Sequence, residues 1–187
     1  MSIRVGRVQT MANRGDLARR IYGAAHLTGS FRLRSGVVSD EYFDKYLFES
    51  DPHLLADIAD ALVPLVPPGI DALAGLELGG MPIVTMLSQR TGIPALFVRK
   101  EAKTYGTCRL AEGGEVGGRH LALVEDVVTS GGAVVDAWRE LKALGATADT
   151  AVCVIDRESS GGANLAAVGL RLTPLFTMTE LKDAGSA

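Results

Sequence analysis

Two adjacent carboxylates, Glu125 and Asp126, end an aliphatic run that begins at Leu121. A short turn with hydroxyl groups and glycines follows them, and an amphipathic segment, 134–144, follows the turn. The aliphatic run predicts a buried parallel strand and the later segment a helix. Unpaired N–H groups and the positive end of the helix dipole suit a phosphate at such a turn. Because carboxylates accept hydrogen bonds from a diol, the pattern predicts a pocket for ribose 5-phosphate.

The turn itself carries the hydroxyl groups of Thr129 and Ser130, followed by Gly131 and Gly132. Backbone amides and side chains bind anions together in turns of this kind. An ordinary strand-to-helix turn, preceded by a solvated acidic pair, is the alternative interpretation. The combination of adjacent acids, an apolar strand end and two hydroxyl groups favours the phosphate site.

A second glycine pair, Gly79 and Gly80, also follows an apolar strand and precedes a helical pattern that begins at Pro82. Glycine lets the backbone come close to an anion because it has no Cβ atom. Taken alone, this motif favours an ordinary glycine turn. In a parallel sheet, however, the carboxyl ends of strands share one edge, so we expect the turn to lie beside the first one.

A cluster of cations follows the next apolar strand. Arg99, Lys100, Lys103 and Arg109 lie close together and lead into a glycine-rich stretch. Long loops in compact domains are usually lids or disordered segments, and a cationic lid would stabilise the growing charge of a leaving anion. A solvated charged loop is the alternative. We predict that residues 100–118 form a mobile catalytic loop.

These segments, in this order, resemble the motifs of the type I phosphoribosyltransferases. The stretch at 121–133, LALVEDVVTSGGA, is similar to the family's signature for phosphoribosyl diphosphate (PRPP). RKEAK at 99–103, followed by Tyr105 and a glycine, closely resembles the catalytic loop of the orotate phosphoribosyltransferases. The resemblance extends over about residues 31–181.

The resemblance implies a Rossmann-like α/β fold, with a central, mostly parallel sheet flanked by helices and a small N-terminal hood. It implies that the acid pair binds ribose hydroxyls and that the loop cations stabilise a departing pyrophosphate. The catalytic residues that it implies are Arg99, Lys100, Lys103 and Asp126. The residues that it assigns to PRPP are Leu78, Gly79, Gly80, Arg99, Lys100, Lys103, Tyr105, Glu125, Asp126, Val127, Val128, Thr129, Ser130, Gly131, Gly132 and Ala133.

The resemblance also implies a pocket for the base. Arg157, within IDRE at 155–158, would grip the carboxylate of orotate with its forked guanidinium, while a surface ion pair with its acidic neighbours is the alternative. FRLRSGVVS at 31–39 is similar to another family segment and has Arg34 where relatives have lysine. The residues expected at the base are Arg34, Tyr42, Phe43, Thr129 and Arg157. For the two aromatic residues, packing in the hood or core is an alternative to stacking on the base.

Tyr105 departs from the family pattern, because many members have histidine there. An unperturbed tyrosine does not titrate near neutral pH, whereas histidine does. We therefore expect Tyr105 to donate a hydrogen bond to a phosphate oxygen and not to shuttle a proton.

The same resemblance implies Mg²⁺, held mainly through PRPP and water, and a homodimer in which the catalytic loop reaches the neighbouring active site. Two alternatives remain: a transferase for another nucleobase, and a non-catalytic PRPP-sensing regulator. The RKEAK loop disfavours the first, and the intact acids and loop cations disfavour the second.

Alternating helices and strands must position these segments. The apolar spacing predicts helices at 16–25, 52–65, 82–91, 134–144 and 162–168. It predicts strands at 72–77, 95–99, 148–155 and 171–177 besides the run from Leu121, and a strand-like segment with a turn at 31–48. Such alternation is typical of a parallel sheet covered on both faces, with ligands at the carboxyl ends of its strands.

Composition sets the outer limits. The 187 residues, 47% of them hydrophobic, suit one domain with a sizeable core. The net charge of −3 argues against broad nucleic-acid binding, and no apolar run is long enough to span a bilayer. Cys108 and Cys153 match no metal spacing, so we expect reduced thiols in a cytoplasmic protein. Residues 1–10 are expected to form a flexible leader without a secretion signal, with Met11 as an alternative start.

Overall fold

The computed structural model describes residues 13–32, 36–101 and 110–186. Within these ranges the helices are α1 (Arg14–Ala25), α2 (Lys45–Ser50), α3 (Pro52–Leu62), α4 (Gly80–Thr91), α5 (Gly132–Ala143), α6 (Gly161–Ala166) and α7 (Met178–Ser186). The strands are β1 (His26–Arg32), β2 (Val38–Phe43), β3 (Ala72–Leu76), β4 (Ala95–Val98), β5 (Ala111–Glu112), β6 (His120–Val128), β7 (Thr147–Asp156) and β8 (Arg171–Thr177).

The central sheet of the described chain has the strand order β5-β4-β3-β6-β7-β8. Strands β3, β4, β6, β7 and β8 run parallel, and the short β5 pairs antiparallel with β4. The predicted α/β class with a mostly parallel sheet is therefore confirmed. Since β3 lies between β4 and β6, and β7 follows β6, the turns after these four strands share one edge of the sheet.

Helices cover both faces of this sheet, as the alternation predicts. Leu73 on β3 points into a core that includes Ile21 of α1 and Phe48 of α2, while Ala74 points into the core around Trp138 of α5. This two-residue alternation is the period of a strand. On β6, Val124 faces the same layer as α1 and α2. Asp126, two residues further on, is placed toward that layer as well.

The segment 31–48, predicted as strand-like with a turn, is a hairpin and a helix. β1 begins directly after α1 at His26 and pairs with β2, and the chain then turns into α2. Asp44 caps this helix by accepting a hydrogen bond from the Tyr46 N–H group at 3.1 Å, and Phe48 is fully buried. Aromatic residues favour strands by propensity. Here the Asp44 cap and the burial of Phe48 stabilise a helix instead.

Other helix and strand boundaries differ from the predicted ones for local reasons. α1 begins at Arg14 because Asn13 caps it with a 3.0 Å bond to the Gly15 N–H group. The predicted loop 100–118 contains β5, which pairs with β4. The C-terminal helix α7, which the apolar spacing did not indicate, packs Leu181 into the core.

No helix within the described ranges is both long enough and apolar enough to cross a membrane. Cys153 is a buried free thiol in β7, and burial raises the pKa of its thiol above the ordinary range. The predicted leader and Cys108 lie outside the described residues.

Candidate active site

The turn after β6 is shorter than the segment expected to wrap a phosphate. Val127 and Val128 belong to the strand, and the Val128 carbonyl accepts a 2.9 Å hydrogen bond from the Arg157 N–H group. The turn proper is formed by Thr129, Ser130 and Gly131, after which α5 begins at Gly132. Both hydroxyl-bearing residues are exposed, so the hydroxyl groups stand at the surface of the site.

The shape of this turn depends on Gly131 and on α6. Gly131 has a φ of 72°, and a Cβ atom there would lie 2.4 Å from Cδ1 of Leu165. Asn164 supports the turn by donating a 2.9 Å hydrogen bond to the Ser130 carbonyl. Because Gly131 has no side chain to cap α5, N–H groups of the first helical turn are left for an anion. Neither α6 residue was predicted, since nothing in their types indicates this contact.

The acid pair is buried rather than solvated. Asp126 is 0% exposed and Glu125 is 8% exposed. The Asp126 N–H group donates to Oε1 of Glu125 at 3.0 Å, and the Val127 N–H group donates to Oδ1 of Asp126. The second carboxylate oxygen of Asp126 lies 2.6 Å from Nζ of Lys45. This burial excludes the alternative of a solvated acidic pair.

Lys45 and Glu49 stand one turn apart on α2, and sequence reasoning found neither. A lysine and a glutamate four residues apart on a helix are usually a solvent-exposed pair, so their types carried no signal. Here the Glu49 residue is 8% exposed and its carboxyl group interacts with Asp126. The N-terminal hood, which consists of β1, β2 and α2, therefore places a cation and a third carboxyl group against the acid pair.

Burial and mutual contact set the charges in this cluster. Burial and the neighbouring Asp126 raise the pKa of Glu49 to about 9. The same two causes raise the pKa of Glu125 well above its ordinary value. Burial opposes ionisation of Asp126, but hydrogen bonds from Glu125, Glu49 and Lys45 outweigh it and lower its pKa. Burial likewise opposes the charge of Lys45, and contact with Asp126 outweighs it and raises the pKa of that ammonium. The charged forms that these contacts favour are thus those of Lys45 and Asp126.

The glycine turn after β3 lies directly against the acid pair. A Cβ atom on Gly79 would stand 1.5 Å from Oδ2 of Asp126, and one on Gly80 would stand 2.4 Å from the Val124 carbonyl. α4 begins at Gly80, two residues before the predicted start. The peptide bond between Glu77 and Leu78 is cis, and Leu78 is 58% exposed. The two predicted turns are therefore adjacent, as the shared sheet edge implied.

The described part of the cationic loop starts beside this glycine turn. The Lys100 N–H group donates to Oε2 of Glu77 at 3.0 Å, and the Arg99 N–H group donates to the Leu110 carbonyl at 2.9 Å. Nε of Arg99 is buried and has no hydrogen-bond partner among the described residues. Lys103, Tyr105 and Arg109 lie outside the described residues.

The residues predicted for the base lie in two places. Tyr42 in the hood is 43% exposed, with its ring centroid 5.5 Å from that of Phe31. Phe43 instead packs against the core, with Tyr22 and Phe48 each 6.5 Å away between ring centroids. Its position thus agrees with the packing alternative. Arg34 lies outside the described residues.

Arg157 is exposed at the carboxyl end of β7, beside the turn at Thr129. The alternative of an ion pair with its neighbours is not formed in the described part of the chain. Asp156 accepts a 2.9 Å hydrogen bond from the Glu158 N–H group, and Glu158 accepts one at 2.7 Å from the Thr179 N–H group. With both acids occupied by backbone groups, the guanidinium is open to an anionic ligand.

Metal donors in the described ranges do not form a protein cage: no group of three or more histidine, cysteine or acidic side chains there is arranged to hold a metal ion. The acid pair offers hard carboxylate oxygens beside a glycine turn suited to phosphates. Such a donor set fits Mg²⁺, which commonly keeps its waters and takes substrate phosphates with one or two carboxylates.

Known proteins resemble the chain closely in sequence and in structure. An orotate phosphoribosyltransferase from a Nocardioides species is 57% identical over 171 residues, which cover 91% of this chain and 96% of that protein. The crystal structure of orotate phosphoribosyltransferase from Mycobacterium tuberculosis in complex with Fe(III) dicitrate superposes with a TM-score of 0.82 at 29% identity, covering 90% of this chain and 98% of that one. A crystal structure of the enzyme from that organism in complex with PRPP has a TM-score of 0.78 at 26% identity, covering 90% and 98%.

No protein-family model matches the chain. The identity to the Nocardioides protein, over nearly the whole of both chains, is decisive on its own. It confirms the resemblance carried by the acid pair, the glycine turn and the RKEAK segment. The chain belongs to the orotate phosphoribosyltransferase family.

Proposed function

We propose that this chain transfers ribose 5-phosphate from PRPP to N1 of orotate, which yields orotidine 5′-monophosphate and pyrophosphate in the de novo synthesis of UMP. The observation that carries the proposal is the contact between the Gly79 turn and the Asp126 carboxylate. That contact sets a turn suited to diphosphate beside acceptors suited to ribose hydroxyls. The exposed Thr129–Ser130 turn beside them would take the 5-phosphate.

The PRPP site follows from these three parts. Backbone N–H groups at the start of α5, with the Thr129 and Ser130 hydroxyl groups, hold the 5-phosphate. Asp126 and Glu125 accept hydrogen bonds from the ribose hydroxyls, while Gly79 and Gly80 bring the backbone close to the diphosphate. A relative of 26% identity has been crystallised with PRPP, which supports this assignment.

In the reaction, the bond between C1 of ribose and the pyrophosphate oxygen lengthens first and leaves an oxocarbenium-like carbon. N1 of orotate then forms the new bond to C1, and the leaving pyrophosphate takes the electron pair of the broken bond together with the N1 proton. Arg99, Lys100 and Lys103 stabilise the charge on that leaving group. Mg²⁺ would be held mainly through PRPP and water and would supply further positive charge to the diphosphate.

Orotate is recognised by charge and by a flat surface. Arg157, whose guanidinium has no acidic partner in the described structure, takes the orotate carboxylate as a bidentate ligand. Tyr42, exposed in the hood, offers a ring to the base. Arg34 and the loop residue Tyr105 complete the site in this proposal. The packing of Phe43 against Tyr22 and Phe48 indicates that it supports the hood.

Assembly and location belong to the same proposal. The chain acts as one domain in a cytoplasmic homodimer, with loop 100–118 of each subunit closing over the neighbouring site and excluding water. The test is to mix the purified protein with PRPP, Mg²⁺ and orotate and to follow orotate loss by absorbance, with adenine and hypoxanthine as competing bases. We expect loss of orotate alone. Consumption of a purine with orotate untouched would contradict the proposal.

A further inference from the structure

The ion pair between Lys45 and Asp126 joins the hood to the acid pair at the edge of the central sheet. We propose that Lys45 is a positioning residue for PRPP binding, which orients the Asp126 carboxylate toward the ribose hydroxyls. The inference rests on the proposed function, because it assigns Lys45 a part in binding the donor of that reaction. Lys45 itself acts through Asp126 and need not touch the ligand.

Both carboxylate oxygens of Asp126 are held in place. The Val127 N–H group donates to Oδ1, and Nζ of Lys45 lies 2.6 Å from Oδ2. The backbone of Gly79 closes a third side, since a Cβ atom there would overlap Oδ2. Held at both oxygens, the carboxylate keeps one orientation.

Among the described side chains that face Asp126, Lys45 is the one that carries a positive charge. The others are Glu49 from α2 and Glu125 from β6. Without the ammonium, Oδ2 would lose its ion-pair partner on α2, and the carboxylate would be free to turn away from the ribose hydroxyls.

Helix α2 fixes the position of Lys45 beside Asp126. Asp44 caps α2, and Phe48 anchors it with a fully buried ring. Glu49, one turn after Lys45, reaches the same carboxylate. α2 thus presents both side chains to Asp126 from one face, and the lysine is half-buried rather than free to move in solvent.

A double-mutant cycle tests the inference. PRPP affinity, in the presence of Mg²⁺, is measured by calorimetry for the wild type, Lys45→Met, Asp126→Asn and the double variant. Methionine has an unbranched side chain of similar length but lacks the ammonium group. We expect Lys45→Met to weaken PRPP binding about tenfold, as the loss of a hydrogen bond to a charged group does. In the Asp126→Asn background the same change should have less than about a twofold effect, since no carboxylate remains to be held.

The matched control is Lys142→Met, because Lys142 lies 5.9 Å above the Trp138 ring on α5, away from the site. Its PRPP affinity should equal that of the wild type, and circular dichroism should give every variant the wild-type fold. Wild-type affinity in Lys45→Met, or effects that multiply in the double variant, would overturn the inference.

Turnover separates this inference from the proposed function. A wild type that binds PRPP but leaves orotate unconsumed contradicts the proposed function, and the cycle still decides the part that Lys45 plays. A wild type that consumes orotate while Lys45→Met keeps full PRPP affinity contradicts the inference alone. For Lys45→Met, the KM for PRPP should rise while the KM for orotate stays within about twofold of wild type.

Discussion

The α-carbon of Gly79 lies so close to the carboxylate of Asp126 that a side chain on Gly79 would overlap Oδ2, with a Cβ at 1.5 Å. The contact joins the turn after β3 to the end of β6, two segments that are 47 residues apart (126 − 79) in the chain. It fixes the spacing between the groups proposed to bind the diphosphate and those proposed to bind the ribose.

Gly79→Ala is expected to lower kcat/KM for PRPP by about a hundredfold, because Asp126 is held by Lys45 and Val127 and cannot move aside without misplacing the acceptors. Steady-state kinetics with PRPP as the varied substrate measures the loss. Gly23→Ala is the control, since Gly23 is an exposed position inside α1 with no atom within 4 Å of an added Cβ. It should leave activity unchanged and raise the free energy of unfolding by about 0.5–1 kcal/mol. A wild-type kcat/KM for PRPP in Gly79→Ala would contradict the role assigned to this contact.

Glu49 makes the stability of the protein depend on pH. Its folded-state pKa, raised to about 9 by burial and by Asp126, exceeds the ordinary value of 4.5. The folded state therefore binds the proton more tightly than the unfolded chain, so this contribution is complete below about pH 4.5 and is lost as pH rises through 9. As pH rises from 5.5 to 8.5, the free energy of unfolding of the wild type should therefore fall relative to that of Glu49→Gln.

Urea unfolding at several pH values measures that difference for Glu49. Glu140→Gln changes an exposed acid on α5 instead, and its unfolding free energy should follow the wild type across the range. A difference between Glu49→Gln and wild type that stays constant across this pH range would show that Glu49 is ionised in the folded protein.

Arg157→Ala is expected to raise the KM for orotate by ten- to a hundredfold, the effect of losing a charge-assisted hydrogen bond. The KM for PRPP should change less than about twofold, because Arg157 lies on the side of the site assigned to the base. Arg139→Ala is the control, since Arg139 pairs on the surface of α5 with Asp136. Equal changes in both KM values would contradict the assignment of Arg157 to orotate.

The proposed sharing of the loop between subunits predicts that two inactive variants complement each other. Lys103→Ala removes a loop cation and Asp126→Asn removes the acid. In a mixed dimer one site combines an intact loop with an intact acid pair. If subunits exchange freely, half of the dimers are mixed and the mixture should regain about a quarter of wild-type activity. No recovery, despite subunit exchange shown with tagged chains, would contradict loop sharing between subunits.

The sequence by itself determined the fold class and the order of the chemical motifs. Aliphatic runs alternating with amphipathic segments specify a parallel sheet with helices on both faces, and strand ends in such a sheet meet at one edge. The glycine turn at Gly79, the acid pair and the hydroxyl turn could therefore be assigned to one site without coordinates. Each of these motifs is contained in a few consecutive residues, so its chemistry is readable locally.

Only the tertiary structure decided what surrounds the acid pair. Lys45 belongs to the segment 31–48, which was predicted as strand-like, and Glu49 follows it. A cap at Asp44 and the burial of Phe48 make this region a helix. The packing of that helix on the sheet places a lysine within 2.6 Å of Asp126. It also buries the acid pair, for which a solvated position was the alternative interpretation. Contacts of this kind depend on how distant segments pack, and the residue types along the chain do not encode that distance.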